Sequence, residues 1–429
     1  MKVMLINPKT TFVGRGEGGR LFPLGLASVA GSINQIADVN VLDMNLGGDL
    51  LGNISEFKPT IIGISCFMDT FCEVQRVCQA IKSNFPNVVF VLGGPFATVA
   101  PELYLTHTVA DIIVVGEGEV TFSEIIKTIS VGNVYQTRGI AYRESGGRII
   151  KTPAREAIDL SLHTPGYSLC RPDKYLTLKG VGLGKAISFT TSRGCGGKCV
   201  FCNPNYLGSF RELSLDKFKD QLNYLLEAAS DLRGLFFSDA TFTASKERAL
   251  QVCSVMQEHN LEFEALCRAD TLDQELLGIM RRSGCRQIGL GLESLSPKVL
   301  KRAGKGIGSD DQLKALDRIK QTGINPIVYL LFGLPGDTED SMQHTMRIIM
   351  DLGYYIRPNI LVPIPGTGAY KIAKKRGLIP DLYAYASWYS QQCEMGLQKI
   401  SGINLSEVPN KLIQENILKI WDYNSTLGV

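Results

Sequence analysis

The sequence predicts an α/β protein built from two successive regions of alternating strands and helices. The first region, residues 1 to about 130, contains five short strands rich in Val, Ile and Leu that amphipathic helices separate. Near-continuous apolar strands of this kind are typical of a parallel sheet that helices cover on both faces. From residue 186 onward the alternation occurs six more times, which predicts a partial TIM-type barrel of six strand–helix units. A small, mainly helical C-terminal region completes the predicted architecture.

The first region is predicted to be a doubly wound, Rossmann-like domain over residues 1–140. Its strands are predicted at residues 3–7, 39–42, 60–65, 88–92 and 111–115, and its helices at 24–36, 49–57, 72–84, 98–107 and 119–130. Sheets of this kind bind ligands in the crevice beyond the carboxyl ends of their strands. We therefore expect the ligand-binding residues of this region to follow the strands directly.

Small and polar residues do follow four of these strands in succession. A glycine after a strand is most often only a turn, so none of these residues carries much weight alone. Together, at one predicted edge of one sheet, they are candidate ligand-binding residues. They are Asp43, Asn45 and Gly48 after the second strand, Ser65 and Phe67 after the third, Gly93 and Gly94 after the fourth, and Gly116, Glu117 and Gly118 after the fifth.

The second region is predicted to begin after a hairpin and linker at residues 141–184. The hairpin signal is Ser145-Gly146-Gly147, and a stretch rich in proline and glycine follows it. The barrel core is predicted over 185–380, with strands at 186–191, 234–238, 263–268, 286–292, 326–332 and 359–362. A helix at 215–229 is marked by Ser214 as its N-cap and by apolar residues that recur on one face.

Three cysteines lie on one loop directly after the first barrel strand, in the segment Cys195-Gly-Gly-Lys-Cys199-Val-Phe-Cys202. A cubane iron–sulfur cluster in electron carriers has four thiolate ligands, and a structural zinc ion has four closed ligands. Three thiolates leave one iron open to a small molecule. The loop alone also allows a zinc site completed by Cys170, Cys285 or a histidine, or three structural thiols. The chain has four histidines and none lies near the loop, so Cys/His zinc patterns find little support.

The spacing of these cysteines resembles the signature of the radical SAM superfamily. The resemblance implies that Cys195, Cys199 and Cys202 hold a [4Fe-4S] cluster whose open iron binds S-adenosylmethionine (SAM). It also implies SAM contacts from Phe201 on the loop and from residues at later strand ends. These are Asp239 for the amino group, Arg268 for the carboxylate, Glu293 and Ser294 for the ribose, and Pro335 beside the adenine. Taken alone, Arg268 or Glu293 is more often a solvated or paired surface charge.

The strand ends of the first region resemble the cobalamin-binding domain. That domain has an Asp-x-His-x-x-Gly stretch, a Ser-x-Leu stretch and a Gly-Gly pair that line a groove for the nucleotide tail of the cofactor. The resemblance implies that the strand-end residues of the first region line this groove. Asn45 stands where the family has a histidine, and an amide is not a good nitrogen donor to cobalt. No protein imidazole is therefore expected from this position.

Over residues 1 to about 380 the chain resembles the cobalamin-dependent radical SAM enzymes, most characterised types of which are methylases. The resemblance implies that a 5′-deoxyadenosyl radical abstracts hydrogen from the substrate and that methylcobalamin delivers a methyl group. It also implies a small-molecule or peptide substrate and an electron donor such as flavodoxin or ferredoxin. The alternatives are a non-methylating rearrangement or cyclisation, with cobalamin absent or in another role, and a non-catalytic iron–sulfur or corrinoid sensor.

Composition disfavours several other classes of protein. The net charge of +3 is too small to indicate a nucleic-acid surface, and the densest basic cluster, Lys374-Lys375-Arg376, is predicted to lie on a solvated helix face. No apolar run reaches the about 18 residues that a membrane span needs. Residues 2–7 are predicted to be a strand rather than a leader, so no signal peptide is expected. Eleven unevenly spaced cysteines indicate the reducing cytoplasm rather than a disulfide scaffold.

The C-terminal residues 381–429 are rich in aromatic side chains. They are Tyr383, Tyr385, Trp388, Tyr389, Trp421 and Tyr423. One interpretation is a substrate-facing cap over the barrel mouth. The other is ordinary helical packing against the rest of the chain.

Overall fold

The computed structural model describes residues 1–10, 21–176, 184–202, 208–394 and 403–427. The chain divides into two compact units. The first unit consists of Met1–Leu176, Asp220–Ser230 and Asp381–Leu397, and the second consists of Thr177–Lys219, Asp231–Pro380 and Gln398–Val429. No helix in these described ranges is long and apolar enough to cross a membrane.

The first unit contains a sheet of seven strands in the order β2-β1-β3-β4-β5-β6-β7. The strands are β1 (Lys2–Asn7), β2 (Asp38–Asp43), β3 (Ile61–Ser65), β4 (Val89–Gly93), β5 (Ile112–Val114), β6 (Ile140–Arg143) and β7 (Ile149–Lys151). The pairs among β1 to β5 are all parallel, which confirms the predicted Rossmann-like sheet. The hairpin β6–β7 adds to this sheet as antiparallel strands, so the sheet continues beyond residue 140.

Six helices of the first unit pack against this sheet or extend from its strand ends. They are α1 (Leu24–Ile33), α2 (Leu50–Phe57), α3 (Phe71–Asn84), α4 (Pro95–Val99), α5 (Pro101–His107) and α6 (Gly118–Ile129). The single helix predicted at 98–107 is in fact two helices. Pro101 begins the second of them, because proline disfavours helical geometry at the residue before it. Apolar residues of α1 and α6 form one buried cluster with those of the strands, among them Leu26, Ile33, Phe122 and Ile125.

The second unit contains a parallel sheet of six strands, in the order β8-β11-β12-β13-β14-β15. The strands of this unit are β8 (Ala186–Phe189), β9 (Ser192–Arg193), β10 (Arg211–Glu212), β11 (Gly234–Phe237), β12 (Glu262–Cys267), β13 (Cys285–Glu293), β14 (Asn325–Phe332) and β15 (Tyr355–Ile360). The first and last strands of the six do not pair with each other, so this is the predicted partial barrel. The short strands β9 and β10 form a separate antiparallel pair.

The last strand of the partial barrel differs from its predicted position. It was predicted at residues 359–362 and lies at Tyr355–Ile360. Pro358 pairs with Leu330 of β14 inside this strand. Proline has no amide hydrogen to donate, which is tolerated on an edge strand such as β15 but hides the strand from a sequence pattern.

The later helices follow the strands of the partial barrel or close the chain. They are α7 (Leu215–Ala228), α8 (Lys246–Glu258), α9 (Gln274–Arg282), α10 (Pro297–Arg302), α11 (Ser309–Gln321), α12 (Glu339–Asp351), α13 (Gly368–Lys375), α14 (Leu382–Glu394) and α15 (Asn410–Thr426). Buried aromatic rings on neighbouring strands pack on one another: Phe237 packs edge-on against Phe189 at 6.5 Å and against Phe263 at 5.5 Å. Each such pair adds about 0.5 to 1.5 kcal/mol beyond the burial of its area.

The aromatic C-terminal residues form helices in different units. In the first unit Tyr383 of α14 stacks on His107 with ring centroids 4.0 Å apart, and Ser390 accepts a hydrogen bond from the Cys72 amide at 3.1 Å. In the second unit Asn424 of α15 donates to the Ile356 carbonyl at 2.7 Å. These are contacts of helical packing, and a substrate-facing role for the segment stays a prediction.

Candidate cluster and cofactor sites

The loop with the three cysteines is closed at its base by the β9–β10 pair. Arg193 pairs with Arg211, and the Leu213 amide donates to the Thr191 carbonyl at 2.9 Å. A Cβ on Gly194 would overlap the Ser209 carbonyl, so the loop has room only for glycine where it leaves β9. The three cysteines therefore lie on a loop whose two ends are held together.

The middle of the loop is fixed by backbone hydrogen bonds from distant parts of the second unit. The Val200 amide donates to the Ala303 carbonyl at 2.9 Å, and the Ala369 amide donates to the Val200 carbonyl at 2.8 Å. A Cβ on Gly304 would lie 2.8 Å from the Lys198 carbonyl oxygen. The residue after α10 and the first turn of α13 thus both form hydrogen bonds with Val200, the residue next to Cys199. Neither segment was among the predicted site residues.

Two of the three cysteine sulfurs converge on Gly197. A Cβ on Gly197 would lie 3.4 Å from Cys195 Sγ and 3.9 Å from Cys199 Sγ. The Gly197 amide donates to Cys195 Sγ at 3.3 Å. Cys202 is exposed, and its amide donates to the Cys199 carbonyl at 3.1 Å in a tight turn. Two cysteine sulfurs beside a glycine that places no side chain between them fit part of the thiolate donor set of an iron–sulfur cluster.

No group of three or more His, Cys, Asp or Glu side chains in the described part of the chain converges closely enough to hold a single metal ion. All eleven cysteines lie in that part of the chain, and none of them forms a disulfide. Cys170, which the zinc alternative names, is buried in the first unit.

Two cations lie beside the cysteine loop, and the sequence predicted only one of them. Burial raises the pKa of the Cys199 thiol, and the nearby charges of Lys305 and Arg268 oppose that rise. The thiolate is the form that binds iron, so these cations favour the metal-binding state. Lys305 was not among the predicted site residues. The one sequence feature that could have marked it is its position between two glycines, Gly304 and Gly306.

Arg268 is held so that one of its nitrogens faces the loop. Its Nε and Nη2 donate to the two carboxylate oxygens of Asp270 at 3.0 and 2.9 Å, and Nη2 also donates to the Lys305 carbonyl at 3.2 Å. Nη1 would lie 3.2 Å from a Cβ on Gly197 and has no hydrogen-bond partner among the described residues. A guanidinium with a donor to spare suits the carboxylate of a ligand.

Glu293 occupies a strained backbone position at the end of β13. Its φ is +67°, and the pairing of β13 with β14 shifts register between Gly291 and Glu293. Its carboxylate accepts a hydrogen bond from Lys305 Nζ at 3.1 Å, with both side chains nearly buried. Strain of this kind persists where the surrounding structure fixes it, and it is concentrated at functional sites.

The remaining predicted SAM-binding residues of this unit differ in their environment. Ser294 is buried, and its hydroxyl accepts a hydrogen bond from the Ser296 amide at 3.1 Å, which is a local turn contact. Pro335 is buried in the turn that follows β14, and Phe201 is half-buried on the cysteine loop. Their contacts with SAM stay predictions.

Asp239 lies at the base of the cysteine loop and is fully buried. Its carboxylate accepts hydrogen bonds from the Thr191 amide at 3.2 Å, from the Thr191 hydroxyl at 2.8 Å and from the Ser192 hydroxyl. The guanidinium of Arg248, on α8, lies 3.6 Å away and is also buried. These contacts give Asp239 a positioning role for the strand end that leads into the loop. The sequence predicted a SAM contact for Asp239 and did not identify Arg248.

In the first unit, Asp43 and Asn45 follow β2 and bind each other. Asn45 donates to Asp43 Oδ1 at 2.8 Å and to the Pro8 carbonyl at 3.1 Å, and its own carbonyl oxygen accepts from the Thr10 amide at 2.9 Å. The Asp43 carboxylate also accepts from Asn7 at 3.1 Å and from the Tyr175 hydroxyl. Asn45 therefore ties the end of β1 to the end of β2.

The ends of β3 and β4 approach each other closely at Gly94. Its φ is +103°, and a Cβ there would lie 2.9 Å from the Cys66 amide nitrogen and 3.4 Å from Ser65 Oγ, so only glycine fits. Gly93 ends β4 beside it, and the Gly93 carbonyl accepts from the Cys66 amide at 2.7 Å. Phe67 follows directly, with its side chain 43% exposed. The edge thus presents an aromatic side chain next to a bare backbone.

The last predicted residues of this edge divide into open and packed positions. Nothing lies within 4 Å of a Cβ on Gly116, and the nearest atoms to one on Gly48 are 3.9 Å away. Glu117 accepts a hydrogen bond from the Ile158 amide at 3.0 Å, and Gly118 lies against Val29 of α1. Open glycines and an exposed aromatic along one carboxyl edge fit a bulky planar cofactor with a nucleotide tail.

Comparison with known proteins agrees with both sites. The family model of the radical SAM superfamily matches residues 189–349, and that of the B12 binding domain matches residues 11–126. A relative described as an uncharacterized methyltransferase from Pyrococcus horikoshii is 30% identical over 88% of this chain and 84% of its own length. The anaerobic magnesium-protoporphyrin IX monomethyl ester cyclase of Rubrivivax gelatinosus is 24% identical over 82% of this chain and 66% of its own length.

A solved structure shares the fold of both units. It is the radical SAM methyltransferase TsrM from Kitasatospora setae with cobalamin and a [4Fe-4S] cluster bound, at a TM-score of 0.70 and 17% identity, over 87% of this chain and 75% of that one. Both family models match this chain, and the Pyrococcus horikoshii relative, at 30% identity, aligns with most of the length of both proteins. The chain belongs to the cobalamin-dependent radical SAM enzymes, which use a [4Fe-4S] cluster, SAM and cobalamin.

Proposed function

We propose that the chain is a methylase that places a methyl group on a carbon of a small-molecule or peptide substrate. One observation carries the proposal: a cysteine loop flanked by two cations and an open, glycine-lined sheet edge occur in one chain. The methyltransferase relative, which the chain matches over 84% of that protein's length, supports methylation over other radical chemistry. When bound, the cluster and SAM supply a hydrogen-abstracting radical, and cobalamin supplies the methyl group.

The residues of the second unit would bind and orient the cluster and SAM. Cys195, Cys199 and Cys202 would each hold one iron and leave the fourth open. Arg268, whose Nη1 faces the loop, and Lys305 would attract the carboxylate of SAM, because both positive charges lie near Cys199. Glu293 holds Lys305 at 3.1 Å and so keeps its charge at the site.

The residues of the first unit would hold cobalamin without a protein ligand to cobalt. Asn45 has its amide nitrogen and its carbonyl oxygen engaged by the ends of β1 and β2. Its role would therefore be to shape the edge of the groove, while Gly48 and Gly116 leave space for the cofactor.

A non-methylating cyclisation is the second candidate. The observation that favours it is the similarity to the cyclase of Rubrivivax gelatinosus, at 24% identity over 82% of this chain. A cyclase needs the radical chemistry of the second unit but no methyl transfer. The two candidates therefore differ in whether SAM is also used as a methyl donor.

The products formed from SAM test the proposal. The enzyme is loaded anaerobically with iron, sulfide and hydroxocobalamin, and is then given SAM and titanium(III) citrate. A methylase should form 5′-deoxyadenosine and also S-adenosylhomocysteine, with the methyl group of SAM transferred to the cobalt of the bound cobalamin. Deoxyadenosine without S-adenosylhomocysteine would favour the cyclase, and neither product would contradict both candidates.

Two cysteine variants serve as site and control in the same assay. Cys199→Ala removes one proposed cluster ligand and should abolish deoxyadenosine formation together with most of the bound iron. Cys72→Ala removes a half-buried thiol of the first unit and should leave both unchanged. Retained deoxyadenosine formation in Cys199→Ala would refute the assignment of the cluster site.

A further inference from the structure

Two helices of the second unit are attached directly to the cysteine loop. Helix α10 ends at Arg302, and the next residue, Ala303, accepts the hydrogen bond from the Val200 amide at 2.9 Å. Helix α13 begins at Gly368, and its second residue, Ala369, donates to the Val200 carbonyl at 2.8 Å. Val200 is the neighbour of Cys199, so both helices lie beside the proposed cluster.

Exposed cations are concentrated on these helices and on the loop that they clamp. We call them the basic patch: Lys198, Lys298, Lys301, Arg302, Lys371, Lys374, Lys375 and Arg376. Residues 297–308 and 368–380 contain no aspartate or glutamate. None of the eight forms an ion pair within the part of the chain that the structure describes. The whole chain has a net charge of only +3, so this local excess is balanced elsewhere.

Helix stability explains only part of the basic patch. Cations in the last turn of a helix interact favourably with its dipole, which accounts for Lys301, Lys374 and Lys375. Lys298 lies in the first turn of α10, where the dipole disfavours a cation, and Lys198 lies on the loop itself. Leu378, two residues after Arg376 of the basic patch, is 40% exposed. An apolar side chain at the margin of unpaired charges is typical of a protein-binding surface.

We propose that the basic patch is the docking surface for an acidic protein that carries single electrons at low potential, of the flavodoxin type. The inference rests on the proposed function, because SAM cleavage requires an electron delivered to the cluster site. In that step the reduced carrier loses one electron and the cluster gains it, with no proton transferred. A partner docked on α10 and α13 meets the two elements that contact the neighbour of Cys199. Complementary charge steers such an encounter and raises its rate by about 10- to 1000-fold.

Charge reversal within the basic patch tests this surface. The variant Lys301→Glu/Lys374→Glu/Lys375→Glu changes exposed residues that have no role in the proposed cofactor sites. The control Lys314→Glu/Lys419→Glu changes exposed lysines on α11 and α15, outside the basic patch. Flavodoxin binding to the loaded enzyme is measured by fluorescence anisotropy, and deoxyadenosine formation is measured with reduced flavodoxin and, separately, with titanium(III) citrate.

The patch variant should bind flavodoxin at least about tenfold more weakly, with a smaller dependence on salt, and should lose flavodoxin-driven turnover to a similar extent. Turnover driven by titanium(III) citrate should not change, and the control should behave as the wild type. Equal flavodoxin binding by the patch variant, or an equal loss in the control, would overturn the proposal. So would RNA that displaces flavodoxin from the wild type at lower concentration. Absence of deoxyadenosine with titanium(III) citrate in the wild type would instead contradict the proposed function, while the binding measurement still decides the docking surface.

Discussion

Replacing Asp239 by asparagine separates the role that the structure gives this residue from the role that the sequence predicted. Asp239 is fully buried, and Arg248, whose Nη1 lies 3.6 Å away, is 3% exposed. The carboxylate also accepts two hydrogen bonds from Thr191, the residue that precedes β9. An asparagine has nearly the same shape but no charge. The variant therefore removes the buried counter-charge of this guanidinium. It leaves only the exposed carboxylate of Glu212, whose Oε1 lies 3.9 Å from Arg248 Nε.

The expected cost follows from the loss of the buried counter-charge, for which the exposed Glu212 compensates only in part. Removing one partner of a buried ion pair typically costs about 3 to 5 kcal/mol, because the other charge stays desolvated. Replacing both partners, in Asp239→Asn/Arg248→Met, also removes the buried guanidinium and should be less destabilising than the sum of the single changes by about 1 to 3 kcal/mol. The same loss of anchoring should lower the iron bound after anaerobic reconstitution.

Urea unfolding and iron analysis measure these two consequences, and the KM for SAM provides the contrast. We expect Asp239→Asn to lose stability and iron together. If the variant instead costs less than about 1 kcal/mol, retains its iron and raises the KM for SAM, then Asp239 contacts SAM directly and the positioning role is refuted.

Three further predictions concern single residues whose environment the structure defines. Gly94→Ala should destabilise the first unit by about 2 kcal/mol or more and weaken cobalamin retention, because of the close backbone contact and the φ of +103°. The control is Gly25→Ala, since nothing lies within 4 Å of a Cβ at Gly25. Equal urea midpoints for the two variants would contradict the prediction. Glu293→Gln should raise the KM for SAM and lower stability, since Lys305 loses its counter-charge at 3.1 Å; unchanged kinetics would show that the pair has no part in binding. Burial raises the pKa of Asp337 from 3.8 to about 6. Because the pKa is higher in the folded state, Asp337 contributes to folded-state stability below pH 4, and this contribution is lost by about pH 6. The free energy of unfolding of the wild type should therefore fall by about 3 kcal/mol across this window relative to Asp337→Asn. Parallel pH profiles from urea unfolding of the two proteins would contradict this prediction.

Features with local causes were predictable from the sequence. The five parallel strands of the first unit are short Val- and Ile-rich runs bounded by turn residues, and the structure has them within one or two residues of the predicted bounds. The cysteine loop and the residues at the strand ends followed from spacing and from the rule that ligands bind beyond the carboxyl ends of parallel strands. Pro358 hid the last strand, since a proline inside a run argues against a central strand.

Features that depend on distant parts of the chain were not predictable. Lys305 lies more than a hundred residues from Cys199, and only the fold brings its charge near that thiol. Ala369 reaches Val200 from a helix whose sequence gives no sign of the contact. Asp239 could be placed at a strand end, but its partner Arg248 belongs to the following helix and the direction of the carboxylate depends on that pairing. The packing of α14 against α3 likewise required the structure, since aromatic content does not identify the surface that a helix covers.

The most direct test of the account is the binding of SAM to a cluster held by Cys195, Cys199 and Cys202. The chain is reconstituted without oxygen, its iron and sulfide are counted, and the electron paramagnetic resonance spectrum of the reduced protein is recorded before and after SAM is added. The account predicts a cubane cluster whose spectrum changes with SAM in the wild type and is lost in Cys199→Ala. A single zinc ion per chain, or a cluster whose spectrum does not respond to SAM, would contradict it.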